Sequence, residues 1–438
     1  MSAGASVDEL PAKVAQRTGS VAVVGQGYVG LTLASAAAAQ GFRVSGIDSN
    51  ADRTDALSRG ELAVPGVDET TFRAAIDSGN ISFSSSPDPV AGASFIFICV
   101  PTPLRDGAPD LSYVEAAGRD VAAHLSAGSL VVLESTTYPG TTDQLLQPLL
   151  EHGSGLRAGT DFLLAYSPER IDPGSAEFTM RNTPRVVGGT TPAATDAALA
   201  FYGQLVDKVF PVSSTRTAET AKLLENTFRH INVALVNELT MLTHDLDINV
   251  WEVIEAAATK PFGFMPFYPG PGIGGHCIPL DPTYLSWQVR RQTGRRFGVL
   301  EAAQDVNERM PNYVASRVAG ILNDVGRAVR GSRIFVLGVT YKADVGDMRE
   351  SPSLMAMQAL YRKGAEVSFH DPFVEEAPLN GGTIQRTELA EGLANADLVL
   401  LLTPHGSYDL EWIAERAALV FDTRNAYGDA SRDNVIRL

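Results

Sequence analysis

Short apolar runs alternate with longer helical stretches along most of the chain. Residues 21–24, Val-Ala-Val-Val, form such a run, which ends at Gly25. An alanine-rich stretch follows over residues 28–40, and a second apolar run covers residues 42–48. Apolar runs of four to eight residues bounded by turn residues are typical of buried strands. The beginning of the chain is therefore predicted to fold as strand, helix and strand.

The same alternation continues over the first half of the chain. Residues 95–100 and 130–133 are again apolar, and helix-like segments separate them. Parallel strands that are covered by helices on both faces give such continuous apolar runs. We therefore predict a doubly wound parallel sheet that extends to residue 212.

A long helical pattern fills the middle of the chain. From Arg216 to His244, apolar residues occur on most sides of the predicted helix, and a stretch rich in glycine and proline follows from Lys260 to Pro282. A helix that is apolar on most sides is normally buried. Its length indicates a spine between domains or an interface between subunits.

The end of the chain repeats the pattern of its beginning. Gly338 ends one apolar run and Asp371 ends the next, with a helix-like stretch between them. The strand-like runs are residues 333–337, 366–370, 398–402 and 419–422. The second repeat lacks the further glycines of the first, so we expect it to hold a different nucleotide, with Lys342 and Arg349 as candidate phosphate contacts.

The predicted fold class is therefore α/β, with two Rossmann-like doubly wound domains that are joined by a long central helix. A flexible N-terminal tail is expected to precede the first domain. The predicted boundaries are 1–19 for the tail, 20–212 for the first Rossmann domain, 213–310 for the central helical region and 311–438 for the second Rossmann-like domain.

Composition narrows the function classes. The chain has 438 residues, and 35 basic against 51 acidic side chains give a formal net charge of −16 at pH 7, which disfavours binding to nucleic acid or to an anionic membrane surface. Its two cysteines exclude a disulfide framework and favour a reducing compartment. The apolar runs are far shorter than the ~20 residues of a membrane helix. The first residues lack the apolar core of a signal peptide, so a cytoplasmic protein is predicted.

A glycine motif marks a dinucleotide site at the first turn. Gly25, Gly27 and Gly30 stand between the first strand and the first helix, and Asp48 ends the second strand. Such glycines permit a tight turn, a close approach of the backbone to a pyrophosphate and close packing of helix on strand. Because an aspartate binds the ribose hydroxyls and repels a 2′-phosphate, NAD is favoured over NADP.

A loop near residue 277 presents a cysteine. Residues 269–282 contain too many glycines and prolines for a helix or a central strand. Cys277 follows Gly274 and Gly275, whose missing side chains would let a substrate reach the sulfur, whereas Cys99 lies in an apolar strand and is interpreted as inert. A thiolate beside a nicotinamide can attack an aldehyde, and the resulting thiohemiacetal can lose hydride to form a thioester that water hydrolyses.

Further polar residues have both a structural and a functional interpretation. Lys222 and Asn226 are four residues apart on the long helix and could stabilise a developing oxyanion, although an arbitrary lysine is usually a solvated surface residue. Residues 135–137 and Glu169 lie on loops that leave strands, where doubly wound folds place ligands. His276 could pair with the cysteine, but adjacent loop residues often point apart. No metal site is predicted.

Seven segments, in the same order as in a known family, resemble the UDP-sugar 6-dehydrogenases. They are residues 25–30, 99–103, 134–140, 167–170, 224–228, 274–277 and 342–352. The resemblance implies a two-domain Rossmann-type protein that dimerises through its central helix. It also implies an NAD-dependent four-electron oxidation of carbon 6 of a UDP-sugar, with two NADH formed per sugar.

The resemblance also assigns roles to individual residues. Cys277 is expected to be the nucleophile, Lys222 and Asn226 to hold the oxygen at carbon 6, Asp281 and Thr136 to position a water, and Glu169 to assist thioester hydrolysis. The expected NAD contacts are Gly25, Gly27, Tyr28, Val29, Gly30, Asp48, Pro101, Thr102, Ser135, Thr136 and Arg349. The expected contacts with the UDP-sugar are Glu169, Arg170, Lys222, Asn226, Gly274, Lys342 and Arg424.

One departure from the family pattern bears on the sugar. Members specific for UDP-glucose have a second glutamate four residues after the one that corresponds to Glu169, and Pro173 stands there in this chain. Together with residues 260–272, this loop resembles the UDP-N-acetylhexosamine branch, most closely UDP-N-acetylglucosamine 6-dehydrogenases. UDP-N-acetylmannosamine and UDP-glucose remain alternatives.

Two other classes of function remain open. One is a two-electron alcohol dehydrogenase in which Cys277 is structural, and the other is an NAD-responsive binding protein without turnover. The combination of Lys222, Asn226, Cys277 and Asp281 argues against the binding protein.

Overall fold

The computed structural model describes residues 6–62, 64–171, 177–275, 278–428 and 432–438. The chain forms two compact units. The first consists of Met1–Glu225 with Thr283–Gly294, and the second of Asn226–Pro282 with Arg295–Leu438.

The first unit is built on an eight-stranded sheet. Its strands are β1 (Val21–Val24), β2 (Val44–Ile47), β3 (Ile81–Ser84), β4 (Phe95–Ile98), β7 (Leu130–Leu133), β8 (Leu163–Tyr166), β9 (Arg185–Gly189) and β10 (Val209–Pro211), and β5 (Leu104–Arg105) and β6 (Ala108–Pro109) form a separate ribbon. The strand order is β10-β9-β8-β7-β4-β1-β2-β3, and only the β8–β9 pairing is antiparallel. The order reverses between β1 and β4, the point where doubly wound sheets bind ligands.

Helices cover both faces of this sheet. They are α1 (Leu10–Gln16), α2 (Tyr28–Ala39), α3 (Ala51–Ser58), α4 (Glu69–Asp77), α5 (Ser112–His124), α6 (Gln147–Ser154) and α7 (Pro192–Tyr202). Along β4, Phe95 and Phe97 pack into one apolar core with α2 and α7, whereas Ile96 and Ile98 pack into another with α5. Because successive side chains of a strand point to opposite faces, an unbroken apolar run fills both cores.

The segment predicted as a flexible tail contains α1. Leu10 and Val14, one helical turn apart, are fully buried in the core that also holds Phe95. A short amphipathic helix can bury one face in this way. The described residues from Val7 to Gln16 therefore differ from the expected tail.

The second unit contains the smaller sheet. Its strands are β11 (Arg333–Leu337), β12 (Glu366–His370), β15 (Leu398–Leu401), β16 (Val420–Asp422) and β17 (Val435–Arg437), and β13 (Glu376–Leu379) and β14 (Gly382–Gln385) form a hairpin. The strands are parallel, in the order β12-β11-β15-β16-β17. The helices α9 (Val250–Ala258), α11 (Gly298–Asp324), α12 (Pro352–Arg362), α13 (Leu389–Asn395) and α14 (Leu410–Arg416) lie in this unit.

Two helices have residues in both units. These are α8 (Thr215–Asp245), which agrees with the predicted long helix, and α10 (Asp281–Thr293). Leu223 on α8 is fully buried, but four large apolar residues are exposed at intervals of four and seven, which place them on one side of the helix. They are Leu224, Phe228, Leu235 and Leu242, with exposed fractions of 45–62%. Among the described residues, no helix is long and apolar enough to cross a membrane.

The repeat seen in the sequence is confirmed in the backbone. Gly25 and Gly338 follow the first strands of their sheets with positive φ angles of 93° and 81°. A β-carbon would lie 2.6 Å from the Cys99 carbonyl oxygen at Gly25 and 2.3 Å from the Thr403 carbonyl oxygen at Gly338. Both glycines therefore serve the same tight turn against a neighbouring strand.

Candidate active site

The turn after β1 has the properties of a pyrophosphate site. A β-carbon added to Gly27 would meet no atom within 4 Å, whereas one added to Gly30 would lie 1.8 Å from the Gly25 carbonyl oxygen. Gly27 is the N-cap residue of α2 and makes no side-chain cap hydrogen bond, and Tyr28 and Val29 form the half-buried first turn of the helix. Open backbone and a helix N-terminus together suit a dinucleotide.

Asp48 is fixed at the end of β2. Its Oδ2 accepts hydrogen bonds from the Gln26 N–H at 2.8 Å and from Arg53 at 2.9 Å, and its Oδ1 accepts one from the Asn50 N–H at 2.9 Å. A carboxylate accepts about four hydrogen bonds. Asp48 therefore has a fixed orientation and retains capacity for a ribose hydroxyl.

The loops after β4 and β7 hold each other at the switch point of the sheet. The Ser135 hydroxyl donates to the Val100 carbonyl oxygen at 2.7 Å, and the Thr102 hydroxyl donates to the Thr136 carbonyl oxygen at 2.7 Å. Thr102 accepts a further hydrogen bond from the Tyr284 hydroxyl on α10. Pro101 is exposed beside them. The structure thus places the predicted cofactor residues of both loops at the same edge as the glycine turn.

Glu169 and Lys222 interact within the first unit. Lys222 on α8 is buried, with 7% of its surface exposed. Burial raises the pKa of the partly buried Glu169 carboxyl, while the charges of Lys222 and Arg185 and a hydrogen bond from the Ile171 N–H oppose this rise. A carboxyl with a raised pKa beside a cation suits proton transfer near neutral pH.

Arg170 makes its contacts with protein groups. Its guanidinium pairs with Glu225 at 2.9 Å and donates to the Pro184 carbonyl oxygen at 2.7 Å. These contacts tie the loop after β8 to α8. Its predicted contact with substrate stays a prediction.

A buried carboxylate attaches α8 to the loop after β7. Glu219, three residues before Lys222, accepts hydrogen bonds from the Gly140 N–H at 2.6 Å, the Thr142 N–H at 2.9 Å and the Thr142 hydroxyl at 2.7 Å. Burial raises the pKa of Glu219, and these hydrogen bonds oppose the rise. This side chain therefore helps to hold the helix against the segment after β7 that follows Thr136.

The second unit brings Asn226 and Asp281 together. The Asn226 side-chain amide donates to Asp281 Oδ2, although 55 residues separate the two in sequence. Asp281 is buried, with 4% of its surface exposed. The structure therefore unites two of the predicted catalytic residues at the start of α10.

The two glycines of the cysteine loop serve packing. A β-carbon on Gly274 would lie 2.7 Å from the Glu350 carbonyl oxygen, and one on Gly275, which has a φ of 91°, would lie 2.8 Å from the Tyr341 ring. The Gly275 N–H donates to the Arg349 carbonyl oxygen. Glu350 and Tyr341 therefore occupy the space that side chains at 274 and 275 would fill, and the access of a substrate to the Cys277 sulfur stays a prediction.

Three basic residues of the second unit were expected to contact ligands. Arg424 donates to the Leu402 carbonyl oxygen at 3.0 Å, and burial lowers its pKa to about 10, so it stays charged at neutral pH. Arg349 is exposed and pairs with Asp347 at 2.6 Å, and Lys342 follows the glycine turn of β11. Their contacts with ligands stay predictions.

Three residues of the sequence analysis lie outside the described residues. They are Cys277, His276 and Pro173. The role of Cys277 as nucleophile remains a prediction, and whether His276 pairs with it or points away remains open. The argument from Pro173 for the class of sugar also remains a prediction.

Sequence reasoning missed several residues that shape the site. Glu219, Arg185 and Tyr284 each bind a group on a loop that carries predicted site residues, and 77–182 residues separate Glu219 and Tyr284 from their partners. Nothing in the local sequence distinguishes these three residues.

Fold and site together define an NAD-dependent oxidoreductase with a second, nucleotide-binding-like domain. Comparison with known families is specific. The NAD binding domain, the central domain and the UDP binding domain of the UDP-glucose/GDP-mannose dehydrogenase family match residues 19–206, 216–309 and 335–429. The chain belongs to this family and is an NAD-dependent nucleotide-sugar dehydrogenase.

Individual relatives extend the similarity over nearly the whole chain. The UDP-N-acetyl-D-mannosamine dehydrogenase of Pyrococcus horikoshii is 34% identical over 92% of this chain and 95% of its own. The NDP-N-acetyl-D-galactosaminuronic acid dehydrogenase of Ralstonia nicotianae is 34% identical over 93% and 96%. A solved structure of a UDP-N-acetyl-D-mannosamine dehydrogenase from Pyrococcus horikoshii has a TM-score of 0.85 at 33% identity, covering 95% of this chain and 98% of that one.

Proposed function

We propose that this protein oxidises carbon 6 of a UDP-N-acetylhexosamine from alcohol to carboxylate. Each sugar would consume two NAD⁺ and one water and yield two NADH and three protons. The observation that carries the proposal is the interaction of Lys222 with Glu169, a buried cation beside a carboxyl of raised pKa, in the unit that has the dinucleotide turn. Such a pair provides both an oxyanion contact and a proton acceptor.

The proposed chemistry assigns each step to protein groups. NAD, when bound, supplies the hydride acceptor. Lys222 and Asn226 hold the oxygen at carbon 6, and the Cys277 thiolate adds to the aldehyde carbon after the first oxidation. The second oxidation gives a thioester on Cys277. Asp281 and Thr136 position a water, and Glu169 takes a proton from the water that hydrolyses the thioester.

Contacts with the rest of the ligands follow the same proposal. Gly25, Gly27, Gly30 and Asp48 hold NAD with the loop residues described above, and Arg349 is a further proposed NAD contact. Arg170, Gly274, Lys342 and Arg424 bind the UDP-sugar.

The sugar is proposed as an N-acetylated hexosamine. The two named relatives act on N-acetylated sugars by their names, which supports the class. The sequence of residues 260–272 favours UDP-N-acetylglucosamine, whereas the Pyrococcus relative is named for UDP-N-acetylmannosamine. Both epimers therefore enter the test.

The test is a comparison of kcat/KM over four substrates. UDP-N-acetylglucosamine, UDP-N-acetylmannosamine, UDP-N-acetylgalactosamine and UDP-glucose are compared at saturating NAD, and mass spectrometry identifies the products. We expect one N-acetylated sugar to exceed UDP-glucose by at least about tenfold, because a pocket that fits the acetamido group gains hydrogen-bond and packing energy from it. A preference for UDP-glucose would reject the proposed sugar class.

We also infer a homodimer that forms through α8. Two residues of the exposed apolar side of this helix, Phe228 and Leu235, line a groove of the second unit together with the exposed Phe264 and Met265. Large contiguous apolar patches on a protein surface usually mark interaction sites. A cytoplasmic location is inferred as well, because the proposed mechanism needs a reduced thiol.

A further inference from the structure

A buried ion pair lies behind the candidate active site. Arg185 at the start of β9 and Glu134 after β7 form a salt bridge, and their side chains are 4% and 0% exposed. The Tyr202 hydroxyl on α7 donates to the other oxygen of Glu134, and the Arg185 guanidinium lies 4.9 Å from the centre of the Tyr202 ring. Both carboxylate oxygens of Glu134 are therefore occupied.

This cluster connects the two loops that carry predicted site residues. Glu134 immediately precedes Ser135 and Thr136. Arg185 Nε donates to the Ser167 hydroxyl at 3.3 Å, and Ser167 lies two residues before Glu169. One guanidinium therefore contacts groups on the loops after β7 and β8.

A buried ion pair is a costly way to connect two loops. Removing two charges from water costs several kcal/mol per ion, and an apolar pair of similar volume is often at least as stable. Stability alone therefore gives little reason for an arginine and a glutamate at these positions. A requirement to fix the geometry and the charge around the neighbouring groups explains the presence of this ion pair better.

We propose that Arg185 is a positioning residue for thioester hydrolysis: held by Glu134 and Tyr202, it fixes the turn from Ser167 to Glu169 so that Glu169 faces the attacking water. This inference rests on the proposed function, because it assigns the hydrolytic step to Glu169. In that step the water oxygen bonds to carbon 6, the carbon–sulfur bond breaks, Glu169 takes the proton, and the Cys277 thiolate leaves.

The charges around Glu169 support this assignment. Lys222 from α8 and Arg185 from β9 favour its carboxylate form, whereas Glu134 after β7 disfavours it. The Cys99 thiol, directly after β4, also interacts with Glu169, but burial raises the pKa of that thiol well above its usual value, so it is neutral. The two members of the ion pair therefore act on the pKa of Glu169 in opposite directions.

The test separates oxidation from hydrolysis in Arg185→Met. If hydrolysis slows while both oxidations proceed, mixing enzyme with sugar and NAD gives a burst of two NADH per site before a slow steady state. Intact-protein mass spectrometry then shows the sugar acyl group on the enzyme. We expect the steady-state kcat to fall about 100-fold, the effect of a displacement of about 1 Å, with the burst rate within about threefold of wild type.

The pH dependence of kcat gives a readout that a purely structural role would not move. Loss of the Arg185 charge raises the pKa of Glu169, so the limb where activity rises with pH shifts upward in Arg185→Met. Glu134→Gln lowers the pKa of Glu169 and shifts this limb downward. Arg185→Lys, which keeps the charge, restores the limb. Arg216→Met, which removes an arginine paired with Asp143 at the surface, is the matched control and changes neither burst nor limb.

Arg185→Met leaves the buried Glu134 carboxylate without its cationic partner, and this is the main risk to the folding of the variant. The double variant Glu134→Gln with Arg185→Met removes both charges, and it should fold and still accumulate acyl-enzyme. A folded variant with no burst, no acyl-enzyme and an unchanged limb would overturn the inference. One NADH per sugar in the wild type would instead contradict the proposed function itself, so the two failures are distinguishable.

Discussion

Replacing Glu219 with glutamine should loosen the attachment of α8 to the loop after β7. The wild-type carboxylate accepts three hydrogen bonds from buried donors of Gly140 and Thr142. A glutamine has one oxygen, so one donor is left facing an NH₂ group. An orphaned buried donor costs about 1–3 kcal/mol.

Because the charged carboxylate of Glu219 is buried, the difference in stability between wild type and Glu219→Gln is smaller at neutral pH. Because burial raises the pKa of Glu219 in the folded state, the stabilising contribution of this carboxyl is fully present below its unfolded pKa of about 4.3 and is lost as pH rises through the folded pKa. We therefore take a value in the lower part of the range, about 1.4 kcal/mol at pH 7, which is about tenfold in an equilibrium constant.

Amide hydrogen exchange measures this local effect directly. Peptides that contain Gly140 and Thr142 should exchange about tenfold faster in Glu219→Gln at pH 7, and the ratio should grow as pH falls. The control is Glu238→Gln, an exposed glutamate on the same helix, which should leave exchange unchanged. Equal exchange in wild type and Glu219→Gln, or a ratio that grows with pH, would show that Glu219 does not hold these donors in the way proposed.

Three further predictions concern the cofactor turn and the exposed side of α8. Gly27→Ala should keep the melting temperature within about 2 °C of wild type and raise the KM for NAD at least about tenfold. Gly30→Ala should lower the free energy of unfolding by about 3 kcal/mol, because its β-carbon would lie 1.8 Å from the Gly25 carbonyl oxygen. Thermal melts and NAD titrations check both variants. Asp48→Ala should lower the preference for NAD over NADP, because it frees Arg53 for a 2′-phosphate; kcat/KM ratios for the two cofactors test this. Leu235→Glu should dissociate the proposed dimer in light scattering, and Arg229→Glu, about 120° around the helix, should not. A monomeric wild type would contradict the last expectation.

Patterns within one element were sufficient to predict much of the fold. The apolar runs of β1 and β4 and the glycine turn between β1 and α2 depend on neighbours in sequence, and the second Rossmann-like sheet repeats them. The long helix α8 follows from its apolar content. The sequence of α8 did not show which side of the helix is buried, as Leu223 is, and which side is exposed, as Leu224 is.

Contacts between segments that are distant in sequence could not be predicted from such local patterns. Glu219 binds the Thr142 N–H, 77 residues away in sequence, and Arg185 binds the Ser167 hydroxyl, 18 residues away. No local sequence pattern predicts these partners. The glycines at 274 and 275 were visible in the sequence, but the packing of Tyr341 against Gly275 was visible only after folding. The pairing of Asn226 with Asp281 was likewise visible only after folding.

One active site of this protein is proposed to oxidise an alcohol through to a carboxylate. The most direct measurement is the number of NADH formed per molecule of UDP-N-acetylhexosamine consumed, followed by absorbance with the product identified by mass spectrometry. We expect two NADH and a uronic acid. One NADH with an aldehyde product would show that the oxidation stops after two electrons and that the proposed function is wrong.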